Sequence, residues 1–336
     1  MTCLALAACS STAAQGLNEA LRQNDVDVER LFAPPTASER AQAVNEWQHE
    51  PPRVAAVSVI FEEPLEAERR LLVIEYTASG ERRYGAAVVP TGTHSVPLPA
   101  VVSLSGFGPP YETVVDPSAP RDPDFDVITL YPAFRGNTLV YEDQAWVSEG
   151  DRNDQCQGAA DDALSLVEAA SDVLLQLDSS RLAAAGGSRG GNVALALSVR
   201  DPRFKAAGSI AGPTTWLDER FLDVPNMAAV YELDFLRDLL EGRGTVEAAR
   251  RRMLACSPVE FVERLSFVQH HHGSDDLAVP IEVADILETA WRERRGDGGL
   301  EVYRYDGEDH QFSKGSLPTV LERLDRFFRE ALGPET

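Results

Sequence analysis

From residue 100 onward the chain alternates short apolar runs with longer stretches of helical periodicity, and this alternation limits the possible folds more than any other feature. The runs lie at 100–104, 127–131, 182–185, 206–211, 267–269 and 300–305. A strand that is apolar on both faces must be covered on both faces, the condition of a mostly parallel sheet with helices above and below it. Between the runs, residues 159–177 place Ala163, Leu164, Val167, Ala170, Leu174 and Leu177 near a 3.6-residue spacing. Residues 281–291 do the same with Val283, Ala284, Ile286, Leu287 and Trp291, so both segments are expected to be helices packed on the sheet. Upstream, residues 54–61, 71–77 and 84–89 are β-branched runs separated by charged or glycine-containing turns, the pattern of an antiparallel meander. The expectation is an α/β fold whose main body spans 53–333, with a helical insertion at 213–256, where the alternation is interrupted. Residues 10–52, rich in Ser, Gln and Asn with paired prolines, read as a polar tether holding one or two short helices.

Charge narrows the partners. Lys plus Arg number 31 against 54 Asp plus Glu, a formal net charge of −23, which repels a phosphate backbone and argues against nucleic acid. No apolar run reaches the length a membrane-spanning helix needs. Near the start, Leu6-Ala7-Ala8-Cys9 resembles the lipobox of bacterial lipoproteins, with residues 1–9 as a signal and Cys9 as the lipidated residue. On that reading the protein is anchored to a bacterial membrane, or is periplasmic or secreted; the alternative is a cytoplasmic chain with an alanine-rich end. Removing Cys3 and lipidating Cys9 leaves Cys156 and Cys256, enough for one disulfide or for two buried thiols.

The sharpest local signal is Gly186-Gly187-Ser188-Arg189-Gly190, which follows a strand-like run and opens the helical segment 191–200. A serine on a tight strand-to-helix turn presents its hydroxyl outward, and glycines two residues to either side relieve the clash that side chains would make there. The helix also aims its first N–H groups at the place where an oxyanion would develop. A serine hydroxyl needs a base, and the base needs an orienting carboxylate. His310, in the segment 305–312 just beyond the last strand-like run, is the candidate base. The candidate acid lies in His272-Gly273-Ser274-Asp275-Asp276, where two adjacent carboxylates compete and Asp276 is favoured. Asp306 and Asp309 are alternatives only for an unusual loop geometry. The run His270-His271-His272 lacks an accompanying ligand cluster, so no metal and no other cofactor is expected, and His272 is expected to pack its ring under the acid turn.

Together these residues resemble the α/β-hydrolase fold, and within it the catalytic domain of the prolyl oligopeptidase family and its esterase relatives. Besides the segments already quoted, the resemblance rests on Phe134-Arg135-Gly136-Asn137 and Asp161-Asp162-Ala163, and it covers about residues 95–333. It implies a Ser188, Asp276 and His310 triad in a serine hydrolase acting on a small ester or short peptide. Where such enzymes usually carry a His-Gly-Gly element, this chain reads Ser103-Leu104-Ser105-Gly106-Phe107-Gly108-Pro109-Pro110-Tyr111. The backbone N–H groups of Phe107 and Arg189 are the expected oxyanion pair, and Tyr111 is a candidate substrate contact. In the insertion, Trp216 and Tyr231, with Phe221, Met227 and Phe235, are candidate pocket walls; the alternative is a helical pair that only packs on the sheet edge. The Arg189 side chain would meet a substrate carboxylate or a neighbouring Asp. Large family members carry a gating propeller, whereas only linker-like residues and the meander precede the body here, so a gate for oligopeptides is not expected. The rival is a silent hydrolase-fold binding module, which would be expected to have lost a triad member or a flanking glycine.

Overall fold

In the computed structural model, which describes residues 14–49, 53–92, 94–117 and 125–333, the apolar runs become strands and the periodic segments become helices. Three helices lead in, α1 (Ala14–Gln23), α2 (Val28–Phe32) and α3 (Ala37–His49), followed by β1 (Val54–Leu65), β2 (Arg69–Ala78), β3 (Glu81–Pro90) and β4 (Leu98–Leu104). Next come β5 (Glu112–Val114), β6 (Ile128–Ala133), β7 (Thr138–Tyr141), β8 (Gln144–Val147), α4 (Gln157–Val173), β9 (Leu177–Gly187), α5 (Arg189–Arg200) and β10 (Phe204–Ile210). The insertion holds α6 (Pro225–Val230), a π-helical turn (Tyr231–Leu236), α7 (Arg237–Leu240) and α8 (Val246–Ala255). The chain closes with β11 (Phe267–Gly273), α9 (Glu282–Arg295), β12 (Leu300–Tyr305) and α10 (Leu317–Leu332).

Nine strands form the main sheet in the order β1-β2-β3-β6-β4-β9-β10-β11-β12. The pairs from β1 through β3 to β6 are antiparallel, and every pair from β6 to β12 is parallel. Side chains alternate across the sheet, so neighbours in sequence meet different helices. Ala207 packs toward α5 and α9 through Leu195, Leu287 and Trp291. The adjacent Ala206 packs on α10 through Val320, Leu324 and Phe328. In β2, Ile74 and Tyr76 join the α4 residues Ala163, Leu166 and Val167 in one cluster. Leu71 and Val73 face the other way, under Leu139 and Tyr141 of a small sheet made by β5, β7 and β8. The edge strand β1 pairs with β2 through two register shifts, between Ala55 and Ser58 and between Val59 and Phe61, and Ala56 there has φ 52°.

The expectation of a polar tether at 10–52 is corrected over the described part of that segment. Leu17, Leu21, Val28 and Leu31 are buried in one cluster with the insertion residues Trp216, Phe221, Met227, Tyr231 and Phe235. In α3, Trp47 sets its ring 5.0 Å from Phe261, and Thr36 and Glu39 form a reciprocal cap, Glu39 Oε2 accepting from Thr36 N at 2.7 Å. The nearly buried Arg250 of α8 binds this region, donating to Glu39 Oε1 at 2.5 Å and to the carbonyls of Leu31, Ala33 and Pro34. An apolar stripe of only four residues spread over two short helices is lost in the polar average of the segment, yet it suffices to dock them. Helix α4 is also shorter than expected. It ends at Val173, and Leu177 opens β9 instead, because an apolar residue at that spacing suits either element. The lipobox and Cys9 lie outside the described residues.

Candidate active site

Ser188 stands alone between β9 and α5 with φ 55° and ψ −122°, a left-handed conformation that a non-glycine residue keeps only when its surroundings enforce it. Its N–H donates to the Ile210 carbonyl of the neighbouring strand at 2.8 Å. The flanking glycines have a direct steric reason. A Cβ on Gly186 would come 2.5 Å from the Leu104 carbonyl oxygen, and one on Gly190 would press into the same atom. The turn after β4 lies against the elbow, since a Cβ on Gly106 would stand 3.8 Å from Ser188 Cβ. Among the described residues, neither the Phe107 N–H nor the Arg189 N–H has an acceptor, so both donors remain available beside the serine.

Two adjoining loops at the carboxyl ends of β11 and β12 carry the other candidates. They interlock, the Asp275 N–H donating to the Glu308 carbonyl at 2.9 Å, while the buried Glu308 carboxylate accepts from the N–H groups of Lys314 and Ser316. Asp276 is 6% exposed, and its Oδ1 accepts from the N–H groups of Ala278 and Val279 at 2.8 and 2.9 Å. Its Oδ2 lies 2.7 Å from His310 Nδ1 and 3.2 Å from His272 Nε2. Burial alone would raise this carboxyl; the hydrogen bonds from His272 and His310, with help from the Val279 N–H, outweigh it and hold the group well below the usual carboxylate range. Asp275 turns outward to Lys314 at 3.2 Å, and Asp309 takes the Ser313 hydroxyl at 2.5 Å, so neither meets His310. Asp276 and His310 are therefore joined, whereas Ser188 Oγ and His310 Nε2 share no hydrogen bond in this conformation.

All three residues of the histidine run are fully buried. His271 faces one side of the sheet, between Gln269 Oε1 and the Tyr305 hydroxyl, and burial pulls it down to about 3. His270 and His272 share the other side, with His270 Nε2 3.0 Å from His272 Nδ1. His272 Nε2 faces two acceptors, the Val279 carbonyl at 2.9 Å and Asp276 Oδ2, so it carries the hydrogen. The direct contact with the acid is what the sequence did not disclose, although His272 lies four residues before Asp276 at the strand end.

Other candidates fare differently. Tyr111 follows the cis Pro109-Pro110 bond, has φ 61°, and lies half-buried between the Phe107 ring at 5.4 Å and the Arg152 guanidinium at 4.8 Å. Trp216 and Tyr231 are 4% and 0% exposed, and the Tyr231 hydroxyl donates to the Trp216 carbonyl at 2.9 Å. They are packing residues between the insertion and α1 and α2, which corrects the expectation that they wall a substrate pocket. Asp162, 1% exposed, accepts from Arg83 Nε at 3.1 Å and from Arg135 N, Nε and Nη2 at 2.7, 3.0 and 3.0 Å, tying β3 and the end of β6 to α4. Cys156 and Cys256 form a disulfide with a Cα–Cα separation of 5.9 Å, joining the start of α4 to the end of α8.

A parallel sheet flanked by helices, a serine elbow after a central strand, and an acid and a histidine after the last two strands define an α/β-hydrolase, and more narrowly a serine hydrolase. The chain belongs to the prolyl oligopeptidase family, whose sequence profile matches residues 123–335. Among curated proteins none matches the sequence. Among solved structures, the chain is similar to a puromycin-hydrolysing peptidase from Mycobacterium tuberculosis, at 19% identity and a TM-score of 0.53, over 76% of this chain but only 38% of that one. It is similar to an acetyl xylan esterase from Paenibacillus sp. R4, at 18% identity and a TM-score of 0.57, over 90% of this chain and 99% of the esterase. It also resembles the Pyrococcus horikoshii acylaminoacyl peptidase, at 15% identity and a TM-score of 0.52, over 84% of this chain and 51% of that one. At these identities the likeness is one of fold.

Proposed function

We propose that the protein hydrolyses an ester or amide bond through an acyl-enzyme, with Ser188 as nucleophile, His310 as general base and Asp276 as the acid that orients it. The observation that carries this reading is the 2.7 Å hydrogen bond between His310 Nδ1 and Asp276 Oδ2, at the same end of the sheet as the Ser188 elbow. An ionised Asp276 can only accept, so His310 Nδ1 bears the hydrogen and Nε2 keeps a lone pair for the serine proton. Ser188 Oγ bonds to the carbonyl carbon as its proton passes to Nε2, and the oxyanion is received by the Phe107 and Arg189 N–H groups. Collapse breaks the bond to the leaving group, which takes the proton from Nε2. A water molecule then repeats the cycle on the acyl-serine, releasing the acid and restoring the hydroxyl.

An ester with a small acyl group is the favoured substrate. Support comes from the extent of the structural likeness, 99% of the acetyl xylan esterase against 38% and 51% of the two peptidases. The test is labelling of the full chain by a fluorophosphonate probe, lost in Ser188→Ala, followed by p-nitrophenyl acetate and longer esters run beside acylated and proline-containing peptide anilides. Labelling with faster turnover of short esters is the expected result. A wild-type protein that resists the probe overturns the hydrolase reading, and preference for the anilides overturns the ester assignment.

We further propose that the protein works in the bacterial envelope, anchored through Cys9. The lipobox-like Leu6-Ala7-Ala8-Cys9 supports this, as does the Cys156–Cys256 disulfide, a bond that persists in oxidising compartments. Incorporation of a fatty-acid analogue, lost in Cys9→Ser, is the expected outcome; an unlabelled protein in the cytosolic fraction overturns it.

A further inference from the structure

Arg189 is 8% exposed, and a buried cation ordinarily meets a carboxylate. Among the described residues it meets none. Its Nε donates to the Ser105 carbonyl at 3.3 Å, and its Nη2 donates to Ser105 Oγ at 3.2 Å and to the Gly106 carbonyl at 2.7 Å. The guanidinium lies 4.6 Å from the Phe134 ring centre and 5.6 Å from that of Phe107. Burial pulls its pKa down to about 9, with Asp162 opposing from a distance. The charge is thus spent on the turn after β4, and the earlier alternatives for this side chain, a substrate carboxylate or a neighbouring Asp, are not what it binds here.

The Gly106 carbonyl and the Phe107 N–H belong to one peptide unit, and that unit is trans. In a planar trans peptide the C=O and N–H point in opposite directions. A donor that captures the carbonyl therefore fixes the direction of the N–H on the other side. It also polarises the amide, because a hydrogen bond accepted at the oxygen strengthens the one donated at the nitrogen. We propose that Arg189 is a positioning residue for the oxyanion hole: its side chain clamps and polarises the Gly106–Phe107 peptide, while its own backbone N–H supplies the second donor. The Phe134 and Phe107 rings lie within cation–π reach of the guanidinium, and Tyr111 packs edge-on to Phe107. This inference rests on the reading of Ser188 as a nucleophile.

The experiment uses the full chain and the substitutions Arg189→Met and Arg189→Lys. Three quantities are measured: kcat and KM on a p-nitrophenyl ester, the affinity of a trifluoromethyl ketone whose adduct with the serine bears an oxyanion, and that of the carboxylate product, which bears none. Loss of a complete oxyanion donor costs about 10²–10³ in kcat, so a donor left in place but no longer aimed should cost about 10–10². The expected result is that fall in kcat in both variants, with KM changed less than about threefold, ketone affinity falling in parallel with kcat, and product affinity unchanged. A rise in KM or in the product dissociation constant at unchanged kcat overturns the proposal in favour of direct substrate contact. So does a kcat loss that ketone affinity does not follow. Should Arg189→Met not fold, Arg189→Ala with added guanidinium ion serves: recovery of kcat relative to equal sodium chloride supports the clamp, and no recovery overturns it. Wild-type labelling by the fluorophosphonate separates the two levels, since a chain that does not label fails the parent reading, whereas one that labels and tolerates the Arg189 changes fails this inference alone.

Discussion

His272 and Asp276 are in contact in the buried layer beneath the acid turn, His272 Nε2 lying 3.2 Å from the same carboxylate oxygen that receives His310 at 2.7 Å. One oxygen thus takes two imidazole donors, one fully buried and one at the surface of the site. A hydrogen bond to a charged group contributes about 1.5–3 kcal/mol, and replacing His272 by Phe should therefore lower kcat about 10- to 100-fold as the acid loses a fixed partner. His272→Gln, which retains a donor, should recover part of the loss. Steady-state kinetics on the two variants check this, and equal losses in both would exclude the donor itself as the cause.

Asp276→Asn should lower kcat by a factor on the order of 10⁴, the size seen when an orienting carboxylate is neutralised and the wrong tautomer follows. Asp275→Asn should change it little, because that side chain is exposed and spends its charge on Lys314. Reversal of the two effects would displace Asp276 from its role.

The Cys156–Cys256 bond closes a long loop, the two residues being 100 apart in sequence. Reduction, or Cys156→Ser, should destabilise the fold by about 2–5 kcal/mol. Urea unfolding with and without reductant measures it.

Asp234 gives stability a pH dependence. It is 2% exposed in the π-helical turn, accepting from Gln155 N at 3.1 Å and from Arg252 Nη2 at 2.5 Å. Burial pushes its carboxyl up to about 7 despite the pull of Arg252. A carboxyl raised above its unfolded value of about 3.9 contributes stability that is fully present below that value and is lost as pH rises through the folded value. Melting temperature should therefore decline from pH 4 toward about 7 more steeply in the wild type than in Asp234→Asn. Parallel curves would exclude this residue as the source.

Much of the fold was legible because β6, β9 and β10 each contain a short, largely apolar run, at 128–131, 182–185 and 206–210, which leaves a covered parallel sheet as the consistent solution. The elbow was legible because its glycines answer a steric demand that no other residue type meets, and Asp276 and His310 because each follows a strand end. The pocket walls were not: Trp216 and Tyr231 look the same in sequence whether an aromatic lines a cleft or fills a core. The docking of α1 and α2 was not legible because its apolar stripe is short, nor were β5, β7 and β8, because three or four residues are too few for an alternation to stand out as a period. Arg189 was opaque for a different reason. Its acceptors at Ser105 and Gly106 include main-chain oxygens, which every sequence carries everywhere.

The flank formed by β1 has a consequence for how copies of the molecule coexist at high concentration. Val59 and Ile60 are 40% and 43% exposed on a twelve-residue outer strand, the kind of border along which foreign strands add. The breaks in its register at Ala55/Ser58 and Val59/Phe61 bend the border, so that an arriving strand finds no straight row of main-chain partners. With mutual repulsion at a net charge of −23 added, a border bent in this way is a poor template for a further strand.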